Sequence, residues 1–170
     1  ALSQLGGALV LALLASCAGG PDAHKGAAGF VNPPPDGSGG DNGGDVALYL
    51  APGATATALI ATDPPARIRL AAADGIGGIA TSGWRGRSHS LGIADSVTVL
   101  ADCAARADVA ATLIAGAVDC PDAAGIERLP AHDIDPESDL GSRLVTVAVP
   151  QLGPTQIDAA LSAGRMLASQ

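Results

Sequence analysis

Aromatic side chains are almost missing from this 170-residue chain, which has one Phe, one Trp and one Tyr. Its core therefore has to be built from Ala, Val, Leu and Ile, which bring backbones close but bury little area apiece. Charge is sparse as well, at 15%, and one-sided: nine Lys and Arg stand against 17 Asp and Glu, a formal net charge of −8. Proteins that bind nucleic acid meet the phosphates with clustered Lys and Arg, so this balance argues against a nucleic-acid partner. No apolar run reaches the roughly 20 residues of a membrane-spanning helix. Cysteine is limited to Cys17, Cys103 and Cys120, with no C-x-x-C pair and no metal-ligand spacing. The last two flank a predicted helix that would hold them apart, and read as free thiols.

What is present is a globular composition, 48% hydrophobic, in a length that suits one domain with a real core. The sequence predicts an α+β fold, a mostly antiparallel sheet with helices packed on it. Residues 1–18 hold an apolar run open to two readings. One is an Ala/Leu helix of the domain. The other is a lipoprotein-type signal, because Leu14-Ala15-Ser16-Cys17 matches a bacterial lipobox and would place lipid on Cys17. No basic stretch precedes the run, as a secretory signal requires. Residues 19–44 are a Gly/Pro-rich loop or insertion. Residues 45–170 form the α+β domain.

Within that domain Val46 to Leu50, Ala54 to Ala61 and Ala66 to Ala72 read as strands. Arg67-Ile68-Arg69-Leu70 alternates, with the arginines outward. Gly78 to Thr81, Ser96 to Ala101 and Arg143 to Val149 read as further strands. Asp102 is expected to cap a helix over Ala104 to Val118, and Pro154-Thr155 to open a last one. The segment from Pro121 to Gly141 reads as turns.

The stretch GGIATSGWRGRSHSLGIADSVTVL, Gly77 to Leu100, is the chemical centre of the sequence. Its glycines let backbone N–H groups approach an anion, and Arg85 and Arg87 offer planar forks of donors. Arg85, Arg87 and Ser88 are on that ground candidate pyrophosphate contacts. Asp108 and Thr112 lie one helical turn apart on one face, a pair able to give Mg²⁺ two oxygen ligands. The plain alternative is a helix with an acid near its start and a Thr bonded back to a carbonyl.

These motifs, taken in order, resemble the ApbE superfamily, whose members move FMN from FAD onto a protein Thr or Ser. GIATSG-x-x-GRS-x-SLGIAD-x-VTVLA and the Asn42-Gly43-Gly44-Asp45 segment are closest to an uncharacterised cytoplasmic UPF branch. The resemblance implies the C-terminal half of an ApbE-like fold, an incomplete nucleotide pocket and a cytoplasmic location. It implies FAD and Mg²⁺ as cofactors, with Thr81, Ser82, Gly83 and Asp45 near the flavin nucleotide and Asp108-x-x-x-Thr112 as the metal motif. The transferases' His-Ile-x-Asp-Pro segment is replaced here by a shorter loop, where His89 and Asp95 are the candidate base and orienting acid. The plainer alternative is a surface or structural histidine and an Asp that caps a turn or helps hold the loop. A flavin nucleotide and an acceptor protein are the expected partners, with Mg-dependent FMN transfer as the expected activity. Two alternatives stand beside it: a non-catalytic nucleotide-binding protein, and a lipid-anchored envelope protein held through Cys17. The flavin reading requires the bend at Thr81 to Ser88 and the helix bearing Asp108 to face one cleft.

Overall fold

A computed structural model describes residues 3–5, 8–10, 12–15, 44–60, 66–86 and 88–169. The fold is α+β. Its centre is a four-stranded sheet in the order β3-β8-β7-β4, formed by Ala12–Ala15 (β3), Val97–Ala101 (β8), Gly78–Ser82 (β7) and Gly44–Ala47 (β4). Strands β4, β7 and β8 pair antiparallel, whereas β3 runs parallel to β8, with Ala12 beside Thr98. Every residue of β8 is buried, as expected for a short apolar strand covered on both faces.

Period-two alternation sorts the side chains of this sheet into two layers. Ala80, Val97, Val99 and Ala101 face a long helix, α1 (Ala104–Ala117), and join one core. Ile79 and Leu100 point the other way and pack with Leu70. Leu70 lies on β6 (Ala66–Ala71), which pairs antiparallel with β5 (Thr55–Ile60). As the alternation predicts, Arg67 and Arg69 are exposed and Leu70 is buried.

Helix α1 presents Ala107, Ala111, Ile114 and Ala115 to the sheet, a stripe of mostly small residues. Small residues allow close approach, and a Cβ on Gly78 would lie 2.2 Å from the Ala104 nitrogen. Strand β7 therefore passes directly under the start of α1, and no residue larger than Gly fits there. The last helix, α3 (Pro154–Ala168), packs against α1 through Ala160, Leu161 and Gly164. Pro154 opens it, and the Gln156 side chain accepts from the Gly153 N–H. The remaining pair, β9 (Glu127–Pro130) and β10 (Leu144–Ala148), is antiparallel. A single helical turn, α2 (Ala131–Ile134), follows β9.

Three expectations need correction. The described parts of the first fifteen residues are strands, β1 (Ser3–Leu5), β2 (Ala8–Val10) and β3, rather than a helix. A short apolar run suits a buried strand as well as a helix, and Gly6-Gly7 disfavours the helix. Cys103, not Asp102, occupies the N-cap of α1 and makes no side-chain cap bond. Asp102 instead pairs with Arg106 one turn on, at 3.2 Å. The span from Pro121 to Gly141, expected as turns alone, contains β9 and α2, whose bounds are too short to leave a pattern. Cys17 and most of residues 19–44 lie outside the described residues. No helix among the described residues is long and apolar enough to cross a membrane.

Candidate functional site

The end of β7, the start of β4 and the outer side of α1 meet around an open cleft of about 420 Å³, counting the part that opens to solvent. Strand register explains how its first carboxylate arrives there. Asp45 lies opposite Ala80, whose side chain faces α1, and partners in an antiparallel pair point to the same side. Asp45 is thereby aimed at the helix, where Asp108 and Thr112 lie one turn apart on the exposed side. Partial burial pushes the Asp45 carboxyl above its ordinary pKa, and the negative charge of Asp108 pushes it further in that direction. The charge of Asp108 is therefore felt at Asp45 across the cleft.

The opposite wall comes from β7 and the bend after it. Thr81, Ser82 and Gly83 line the cleft, followed by Gly86 and Ser88. The Thr81 hydroxyl is 2.9 Å from that of Thr98, which commits one of its hydrogen bonds to the sheet. Gly83 has to be glycine, since a Cβ there would lie 2.3 Å from the Asp95 carbonyl oxygen. The Trp84 N–H bonds the Ala94 carbonyl at 3.0 Å, and the Gly86 N–H bonds that of Gly83 at 3.1 Å. The first of these bonds ties the bend to Ala94, and the second closes its turn.

The residues singled out in the sequence thus divide into two groups. Asp45, Thr81, Ser82, Gly83, Ser88, Asp108 and Thr112 are brought together. Arg85 is not a wall of the cleft. Its Nε–H donates to Asp95 Oδ1 at 2.8 Å and its guanidinium lies over the Trp84 ring, 4.9 Å from the centroid. One of its five N–H donors is thus engaged by the neighbouring acid, outside the cleft lining. Arg87 lies outside the described residues. His89 is half-buried in the following loop and does not line the cleft. Asp95 also accepts from the Trp84 indole N–H at 3.1 Å, which makes it a brace of the bend. Gly86, one of the glycines that keep the backbone of this stretch bare, lines the cleft as well.

Among the described residues the eight that line the cleft are all Asp, Thr, Ser or Gly, which wall it with oxygen and bare backbone. Such a donor set suits a hard cation, and Mg²⁺ keeps several waters and takes few protein ligands when phosphates supply the rest. Among the described residues no group of three or more His, Cys, Asp or Glu is assembled around a metal position. A cation here would rest on the two carboxylates, the Thr112 hydroxyl and oxygens of its ligand. Among the described residues no apolar or aromatic side chain lines the cleft.

Residues 40–170, more than three quarters of the chain, match the family model described as AbpE bacteria. Comparison with curated proteins gives no match, and neither does comparison with solved structures. The match corrects the resemblance read from the motifs, because this family is a different one from the ApbE flavin transferases. Strings such as ATSG and Asp-x-x-x-Thr consist of small residues that many strand ends and helix starts require, so they discriminate poorly between families.

Proposed function

The chain belongs to the AbpE bacteria family, and from that premise we propose that it binds the diphosphate of a nucleotide through Mg²⁺ in the cleft between β7 and α1. The observation that carries this reading is the pairing of Asp45 and Asp108 in one polar cleft, close enough for the charge of one to raise the pKa of the other. Asp108, Thr112 and Asp45 would hold the cation, which when bound neutralises diphosphate charge. Ser82, Ser88 and the bare backbone at Gly83 and Gly86 would face the phosphate oxygens. Like-charged carboxylates oppose each other until a cation arrives, so cation and anion are expected to bind together.

FAD is the nucleotide to test first. It carries such a diphosphate, and its own fluorescence reports binding; its rings would rest outside the cleft described above. The corresponding enzymatic reading is attack of a Thr or Ser hydroxyl of an acceptor protein on the FMN phosphorus of FAD, breaking the diphosphate bond so that AMP leaves and the hydroxyl proton is released. Binding without transfer is favoured by His89 and Asp95, neither of which lines the cleft.

Titration of the chain with FAD, with Mg²⁺ and then with EDTA, tests the proposal. Binding should be at least about tenfold tighter with Mg²⁺, and Asp108→Ala should remove that difference, in line with the loss of a charged ligand. Equal affinity in EDTA, or an unaltered Mg²⁺ effect in Asp108→Ala, would sink it. Incubation with FAD, Mg²⁺ and a Thr-containing acceptor, followed by mass measurement, separates the two readings: an FMN adduct marks a transferase.

A further inference from the structure

We propose that Asp95 is the positioning residue of the cleft: without touching the ligand, it holds the wall of Gly83, Gly86 and Ser88 in the shape that binds. The inference rests on the cation–diphosphate reading of the cleft and extends it to a residue outside the lining. One oxygen, Asp95 Oδ1, accepts from both the Trp84 indole N–H, at 3.1 Å, and the Arg85 Nε–H, at 2.8 Å. Trp84 and Arg85 are consecutive, and they sit between two lining glycines, Gly83 and Gly86. The backbone is pinned at the same place, by the bond from the Trp84 N–H to the Ala94 carbonyl and by the close approach of Gly83 to Asp95. Arg85 over the Trp84 ring closes a three-membered cluster of acid, cation and indole.

The two sides of the cleft differ in what supports them. Asp108 and Thr112 stand on α1, whose inner face is packed against the sheet, and Asp45 stands on a paired strand. Ser88 and Gly86 stand on a bend with no ladder of its own, so side-chain contacts decide where that wall lies. Asp95 is joined directly to β8 through Ser96, and so carries the rigidity of the central strand across to the bend. A charge-assisted hydrogen bond is stronger than a neutral one, and an acceptor shared by two donors fixes both. Loss of the acid should let the wall wander and weaken binding while the α1 side keeps its shape.

The experiment compares wild type, Asp95→Ala, Asp95→Asn and, as a control ion pair away from the cleft, Asp102→Asn. Trp84 is the sole tryptophan, so indole emission reports the bend alone. Asp95→Ala should shift that emission to the red and speed amide exchange at residues 83–88, with exchange in β7 and α1 unchanged. It should weaken binding of Mn²⁺ with inorganic diphosphate by about tenfold, the scale of one lost charged hydrogen bond. Asp95→Asn keeps an oxygen acceptor and should stay within about threefold of wild type; it also serves if the alanine variant fails to fold. Asp102→Asn should match wild type. Wild-type emission and exchange in Asp95→Ala, or a loosened bend with undiminished affinity, would overturn the assignment of Asp95 alone. Absence of Mn²⁺–diphosphate binding in the wild type would overturn the cleft itself and, with it, any positioning part for Asp95.

Discussion

Asp45 joins the strand pattern of the chain to the chemistry of the cleft. Its carboxyl is raised by partial burial and by Asp108, so the folded state holds that proton more tightly than the unfolded state. The sign follows directly. Stability is greatest below the ordinary Asp value, falls as pH rises through the raised folded value, and is level above it. Asp45→Asn should lack this fall, so in metal-free buffer the variant should gain on wild type between pH 3 and neutrality. Urea unfolding at the two ends of that range checks it, and a constant difference would count against the repulsion. Mg²⁺ affinity should follow the opposite course, rising with pH as the Asp45 carboxyl loses its proton. At this scale much of the cleft was legible in the sequence, because Asp108 and Thr112 four apart must share a helical face, and the glycines after Thr81 mark a bend. The fate of Arg85 was not legible: nothing in the order Trp-Arg-Gly-Arg says that Asp95 will fold back to take its Nε–H.

Helix α3 docks on the end of α1 at a point where one side is only backbone. A Cβ on Gly164 would lie 2.4 Å from Val118 Cγ2, and Val118 is itself buried. Two effects compete in Gly164→Ala. Helix propensity favours Ala by about 1 kcal/mol, whereas overpacking a buried contact costs about 1–3 kcal/mol. The gap is far below any real Cβ contact and the Val side chain is short, so the clash should win and the variant should be destabilised. Gly164→Ala combined with Val118→Ala should lose less than the sum of the two single changes, because the truncated side chain relieves the clash. Chemical denaturation of the four proteins reads this, and a stabilised Gly164→Ala would refute the contact. Elements with a full pattern were readable in advance, namely α1 and α3 from their Ala/Leu runs and Pro154, and β6 from Arg67-Ile68-Arg69-Leu70. Strand β9 and the helical turn α2 were not, since four residues on either side of the Pro130–Ala131 junction carry no period. The apolar run at Leu9 to Ala15 misled because Leu, Ala and Val serve a buried strand and a helix alike.

For the molecule as a whole, the central strand β8 has a partner on each side, β7 and β3. Deletion of residues 1–15 removes β3 and leaves one edge of β8 with free N–H and C=O groups beside wholly buried side chains. Such an edge templates pairing with another chain. The shortened protein should therefore self-associate with concentration more strongly than the full chain in sedimentation velocity, and identical profiles would argue against the β3 ladder. The same ladder bears on how the protein is made. Strand β3 joins residues from opposite ends of a very long loop, while β7, β8 and α1 follow one another closely and need only short closures. During synthesis β3 leaves the ribosome early and has no strand to lie beside until Val97–Ala101 has been translated. The earlier-made strand of the pair thus waits through the synthesis of some 80 residues before its ladder can close.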